Sequence, residues 1–201
     1  MKPRALAAEL FGTFGLTLAV LISINNPDFP VSTPVIAGLT LGIFVYTIGS
    51  VSGCHINPAV TIGLAAIKKI DLPSAGAYIV AQFIGAGVAL AIGNVIFAAP
   101  VELVAGGSVG IGLAELLGAL LFLFGIAAVV LERVPAPMSG VVIGTSLFLG
   151  IHFAAHTSNG VLNPAVALGI GSFSLPYIWG PIVGAALGAL ISSMLSERKA
   201  G

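Results

Sequence analysis

Residues 53–60 read GCHINPAV, and residues 160–166 read GVLNPAV. Each stretch holds an Asn-Pro-Ala triplet: Asn57-Pro58-Ala59 and Asn163-Pro164-Ala165. An Asn side-chain oxygen accepts a free backbone N–H at a helix start. Pro is favoured in the first helical turn, where its missing N–H leaves nothing unpaired. Each triplet therefore predicts an abrupt helix start. Lys68-Lys69 stops one helix and Gly171-Ser172 the other, leaving each about ten residues, roughly 15 Å long, or half the hydrocarbon thickness of a bilayer. Two half-length helices with matching starts predict segments that dip in from opposite faces and meet near the middle.

The rest of the chain supplies the bilayer. Of its 201 residues, 58% are hydrophobic and 7% charged, and the mean hydropathy is +1.15. That composition belongs to an integral membrane protein. The formal net charge is zero, so nothing points to a nucleic-acid partner. The single Cys54 excludes an intrachain disulfide framework. Two basic residues open the chain, followed by an apolar run without a convincing cleavage site, which reads as a first span rather than a removable signal. Soluble tails and linkers of any size are not expected.

Six stretches are long enough to cross as helices, roughly Ala5–Ile24, Pro34–Ser52, Ser74–Phe97, Val109–Leu131, Pro137–Ala155 and Leu175–Met194. The half-helices fall between spans two and three and between spans five and six. Barrel-type alternation is absent. The expected fold is an all-α membrane protein of six transmembrane helices plus two re-entrant half-helices, a single domain over residues 1–201.

All seven basic residues, Lys2, Arg4, Lys68, Lys69, Arg133, Arg198 and Lys199, fall on one side of such a topology. That side, with both termini, is expected to be cytoplasmic. The first half-helix then enters from the cytoplasm and the second from outside.

The chain is also an internal repeat, about 1–98 and about 108–201. Adding 106 maps Glu9 to Glu115, Gly12 to Gly118, Gly38 to Gly144 and Asn57 to Asn163. Past the half-helices the offset becomes 99, mapping Tyr78 to Tyr177 and Gly85 to Gly184. A longer connection in the first half, KKIDLPS, is the expected source of the difference. Three spans per repeat make the copies insert with opposite topology, a plan common in transport proteins. Small residues at every fourth position in spans three (Ala81, Gly85, Ala89, Gly93) and six (Gly180, Gly184, Gly188) read as helix-packing stripes.

Two helix N-termini at the midplane concentrate positive potential, roughly half an elementary charge each. Together they repel a cation by about 4 kcal/mol at a few ångströms and an effective dielectric near 20. A neutral solute feels almost none of this. The Asn57 and Asn163 amides can donate to a passing oxygen. The stretches 52–56 and 158–162 cannot be helical, so their carbonyls are expected to face a polar lumen. This reads as a narrow pore for uncharged polar molecules.

The paired SGCHINPAVT and SNGVLNPAVALG, with six spans and an AEL-type start to spans one and four, resemble the aquaporin and aquaglyceroporin (major intrinsic protein) channels over nearly the whole chain. The resemblance implies that Asn57 and Asn163 are the central donors. It implies that Glu9 and Glu115 brace the re-entrant loops, that His55 holds its loop in place, and that the protein is a homotetramer in the cell membrane. Independently, an acid inside a span is expensive and usually paired or functional.

The chain also departs from the family pattern. Members usually carry Arg directly after the second triplet, and here that residue is Val166. Ungapped alignment places Ala37, Ile151 and Gly160 in the rest of the outer constriction. Such a ring is wide, apolar and uncharged, favouring solutes with carbon surface such as glycerol, or ammonia and gases, and it could dewet. A one-residue slip would put His152 there instead and make the ring polar and pH-sensitive. His156, four residues on, could share its helical face. Cys54, the repeat mate of Gly160, is a candidate for the pore wall below the midplane or for a packed core position. No metal site or cofactor is expected. The competing readings are a coupled secondary transporter with broken helices and a weakly conducting structural membrane protein. An enzyme is not expected, because no nucleophile–base pair appears.

Overall fold

The computed structural model describes residues 2–97, 103 and 105–196. Arg198 and Lys199, two of the residues used to orient the chain, lie outside the described residues, as does most of the segment 98–104.

Six helices have the length and apolarity to cross a membrane. They are α1 (Pro3–Ile24), α2 (Thr33–Ser52), α4 (Leu72–Ile96), α5 (Val109–Val130), α6 (Ser139–Ala154) and α8 (Pro176–Met194). Between them lie the half-helices α3 (Pro58–Ala66) and α7 (Pro164–Gly169). A 3₁₀ turn over Ala136–Met138 leads into α6 and completes that span. No strand occurs among the described residues.

The helices pack as a pseudo-symmetric pair of repeats. Helix α1 lies against α4, α5 against α8, and α2 against α6. The small-residue stripes make these contacts possible. A Cβ added at Gly85 would overlap the Leu10 carbonyl, and one at Gly180, Gly184 or Gly188 would overlap the carbonyls of Gly112, Leu116 or Leu120. Backbones that approach this closely leave no room for a side chain. The half-helices are exchanged: α3 packs on α8 and α7 on α4. Gly63 abuts the Ala185 carbonyl, and its repeat mate Gly169 abuts the Ala86 carbonyl and the Thr17 side chain.

One expectation is corrected. The seven residues that separate the two repeat offsets do not sit in a longer connection. Helix α3 has nine residues against six in α7, and α4 begins six residues before Tyr78 whereas α8 begins one before Tyr177. The link between α3 and α4 is the shorter of the two. Asp71 is the reason: its side chain accepts the Ser74 N–H and, with Pro73 in the first turn, starts α4 early.

Candidate functional site

Each half-helix begins as its triplet predicts. The Asn57 side-chain oxygen accepts the Ala59 N–H at 2.8 Å. Asn163 accepts the N–H groups of Ala165 at 3.0 Å and Val166 at 3.3 Å. Both Asn residues are extended, which aims the side chain back over the first turn.

The amide nitrogens tie the two loops together. Asn57 Nδ2 donates to the Leu162 carbonyl at 2.9 Å, and Asn163 Nδ2 donates to the Ile56 carbonyl at 3.0 Å. An amide carries two N–H donors, so each keeps one with no partner among the described residues. The carbonyls that accept are themselves unusual. Ile56 and Leu162 hold φ at +39° and +55°, and two residues earlier Cys54 and Gly160 hold +53° and +62°. Left-handed residues at matched places turn the backbone so that alternate carbonyls and N–H groups point apart.

Those N–H groups point to the buried acids. Glu9 accepts His55 N–H at 2.9 Å, Ile56 N–H at 2.6 Å and the Ser52 hydroxyl at 2.6 Å. Glu115 accepts Val161 N–H at 2.9 Å, Leu162 N–H at 2.6 Å and the Ser158 hydroxyl at 2.8 Å. Both acids are fully buried. Each carboxylate thus gathers the donors of a loop that has no helix to satisfy them, which is what backbone at this depth requires.

The sequence reading did not foresee every partner. Ser52 and Ser158, one repeat apart, also accept the N–H groups of Cys54 and Gly160. Their signal was the 106-residue offset itself. Gln82 donates to Glu9 at 2.8 Å and to Thr61 at 3.0 Å. Thr61 donates to the Asn57 carbonyl and lies 3.2 Å from His55 Nδ1. The His55 ring packs edge-on to Tyr78, 5.2 Å between centroids. The repeat mates of His55, Thr61 and Gln82 are Val161, Ala167 and Pro181, so this polar cluster belongs to the first repeat alone.

The expected run of lumen-facing carbonyls is shorter than predicted. Ser52 O accepts the Tyr78 hydroxyl at 2.9 Å, and Ile56 O and Leu162 O are taken by the two Asn amides. These three have protein partners.

A cavity of about 280 Å³ opens at the meeting point toward the side where α1 ends and α2 begins. Asn57, Asn163 and the four residues aligned to the constriction, Ala37, Ile151, Gly160 and Val166, all line it. His152 does not; it is exposed on another face of α6, and His156 is exposed beyond the end of that helix. Cys54 is buried and lies outside this cavity. Most of the lining is apolar, with polar groups confined to the loop residues and Thr33. No cluster of metal-ligating side chains occurs among the described residues.

Comparison with known proteins bears on this geometry. Residues 2–192 match the profile of a family described as "Major intrinsic protein". Aquaporin Z of Bradyrhizobium diazoefficiens is 32% identical over 233 residues, an alignment that spans 100% of this chain and 97% of that protein. Aquaporin AqpM of Methanothermobacter marburgensis is 33% identical over 80% of this chain and 75% of its own. The X-ray structure of the aquaglyceroporin from Plasmodium falciparum superposes with a TM-score of 0.77 over 95% of this chain and 93% of that one, at 24% identity, a likeness of fold.

Proposed function

The chain belongs to the major intrinsic protein family, a family of passive channels and not of enzymes, and on that premise we propose a pore whose uncharged outer ring favours small neutral solutes with carbon surface. At the coarser level the assignment is plain: a multi-pass membrane protein that passes water or small solutes. The finer reading concerns Ala37, Ile151, Gly160 and Val166, and it is carried by the one observation that all four line the cavity above Asn57 and Asn163.

The selectivity argument is physical. Two half-helix starts, each the positive end of a helix dipole, make the centre electropositive. One amide proton of each Asn stays available to a solute oxygen, while the other locks the loops. A solute such as glycerol offers hydroxyls to these donors and its carbon edge to Ile151 and Val166. An ion loses its water and gains little in return. Water passes the centre but finds few partners in the outer ring, so glycerol, urea and ammonia are expected to compete well with it. Glu9 and Glu115 act in this proposal as braces of the two loops, not as groups that meet the solute; His55 braces its loop beside Thr61 and also borders the cavity. Cys54 is a pore-wall candidate on the other side of the centre in this proposal, a reading its repeat relation to Gly160 supports.

Stopped-flow light scattering on proteoliposomes tests the proposal when water, glycerol, urea and ammonia are compared in one preparation. Solute fluxes that match or exceed water support it; water alone, with the others excluded, overturns the ring assignment. A coupled transporter is the alternative, and accumulation of solute against a gradient in an energised assay would favour it. We further propose a homotetramer in the cell membrane with both termini cytoplasmic. The side-segregated basic residues support the orientation, and protease access to sealed vesicles of known sidedness tests it.

A further inference from the structure

We infer that the first repeat carries, at the end opposite the outer cavity, a binding site for a phosphate-bearing anion. The start of α1, the turn after α3 and the first turns of α4 border an open concavity of about 760 Å³. Lys2, Lys68, Lys69, Asp71, Ser74 and Tyr78 supply its polar lining. Three of the five basic residues described in the chain therefore converge on one hollow from two separate segments.

The inverted repeat provides an internal comparison. Lys68 sits at φ +59° in the turn that closes α3, and the turn that closes α7 has Gly171 at φ +79°. Both turns make the same pair of hydrogen bonds: Lys69 N–H to Leu64 O and Lys68 N–H to Ala65 O, against Ser172 N–H to Ala167 O and Gly171 N–H to Leu168 O. Glycine takes a left-handed conformation freely, and lysine does not. The fold closes this turn without charge in the second repeat, so the turn does not demand the two ammonium groups of the first.

Charge balance points the same way. Ammonium groups gathered in one hollow repel one another. Asp71 is the only acid in the lining, and its carboxylate already accepts the Ser74 N–H at 2.9 Å. The other described basic residues are placed differently. Arg133 bonds the Ser192 hydroxyl and lies over the Phe124 ring at 5.8 Å, and Arg4 is exposed and outside the hollow. A group with several anionic oxygens fits three compact point charges, which bind phosphate without demanding a planar geometry. The Tyr78 hydroxyl, bonded to Ser52 O, connects the hollow to the loop that leads into Asn57.

The phosphate has two possible sources, an anionic lipid headgroup and a soluble phosphate, and the experiment separates them. Native mass spectrometry of the full-length protein is run with phosphatidylglycerol against phosphatidylcholine, and separately with inorganic phosphate. Each of Lys2→Gln, Lys68→Gln and Lys69→Gln is expected to weaken binding about fivefold, and the three together on the order of 100-fold. Lys68→Gly, which suits the turn, should weaken binding as Lys68→Gln does while leaving the fold intact. Arg4→Gln removes the same charge from the same face outside the hollow and should change binding less than twofold. Retention of phosphatidylglycerol without inorganic phosphate assigns the headgroup; the reverse assigns the soluble anion. The inference fails if neither probe binds above phosphatidylcholine. It fails equally if Arg4→Gln acts like the lysine variants, because the effect is then the general field of a basic face.

Discussion

Asn57 and Asn163 each grip the residue in front of the other. The Asn57 amide holds the Leu162 carbonyl at 2.9 Å and the Asn163 amide holds the Ile56 carbonyl at 3.0 Å. The two half-helices are therefore joined through their caps, and anything that moves one loop moves both donors. The N–H groups of the same two residues, Leu162 and Ile56, belong to Glu115 and Glu9. Acid, loop and cap form one chain of contacts in each repeat, and the two chains cross.

Glu115→Gln should therefore damage more than stability. The amide has one acceptor oxygen where the carboxylate has two, so a buried N–H of Val161 or Leu162 is left facing an NH₂ group. An unsatisfied buried donor costs about 1–3 kcal/mol. Thermal unfolding in detergent should show the loss. Solute flux per folded channel should fall too, because Leu162 holds Asn57. A lowered melting temperature with unchanged flux per folded molecule would separate the brace from the pore and count against the coupling.

Val166→Arg tests the outer ring. Val166 is buried on the wall of the cavity, one residue past the second triplet. An Arg there narrows the path and adds donors that serve water better than a carbon edge. Glycerol flux is expected to fall more than water flux in the same vesicles. An equal change in both would mean that Val166 is not at the narrowest part.

Much of this was legible in the chain. Two Asn-Pro-Ala triplets 106 residues apart announced the half-helices, and the same offset linked Glu9 with Glu115. What stayed hidden has a common cause. Lys68, Lys69 and Asp71 look like a polar link, yet Asp71 caps a helix, and a cap and a turn use the same residue types. Gln82, Thr61 and His55 come from three elements, and no linear spacing relates them. The carbonyls of Ile56 and Leu162 read from the sequence as lumen-facing because their partners lie 107 and 105 residues away.

Gly184→Ala and Gly87→Ala should have opposite signs. A Cβ at Gly184 would overlap the Leu116 backbone across the α5–α8 contact, whereas one at Gly87 meets nothing within 4 Å. Overpacking a backbone contact costs about 1–3 kcal/mol. Ala in place of a mid-helix Gly gains about 0.5–1 kcal/mol where space allows. The measurement is thermal unfolding of the two variants side by side. Matching signs would mean that the close approach of α5 and α8 does not set stability.

Cys54 offers a reading of the lumen from the other side. It is the one cysteine of the chain, and it holds the left-handed position that Gly160 holds on the wall of the outer cavity. If the pseudo-symmetry extends to the lumen, its thiol borders the path on the side of α3. A small mercurial should then slow flux through the wild type and leave Cys54→Ser unaffected, with the sulfur–mercury bond filling space that a solute needs. Because Cys54 is buried and absent from the outer cavity, block should be faster when the reagent is added from the side of Lys68 than from the side of His156. Equal block of wild type and Cys54→Ser would remove the thiol from the path. Block that is fastest from the His156 side would place it on the wrong half.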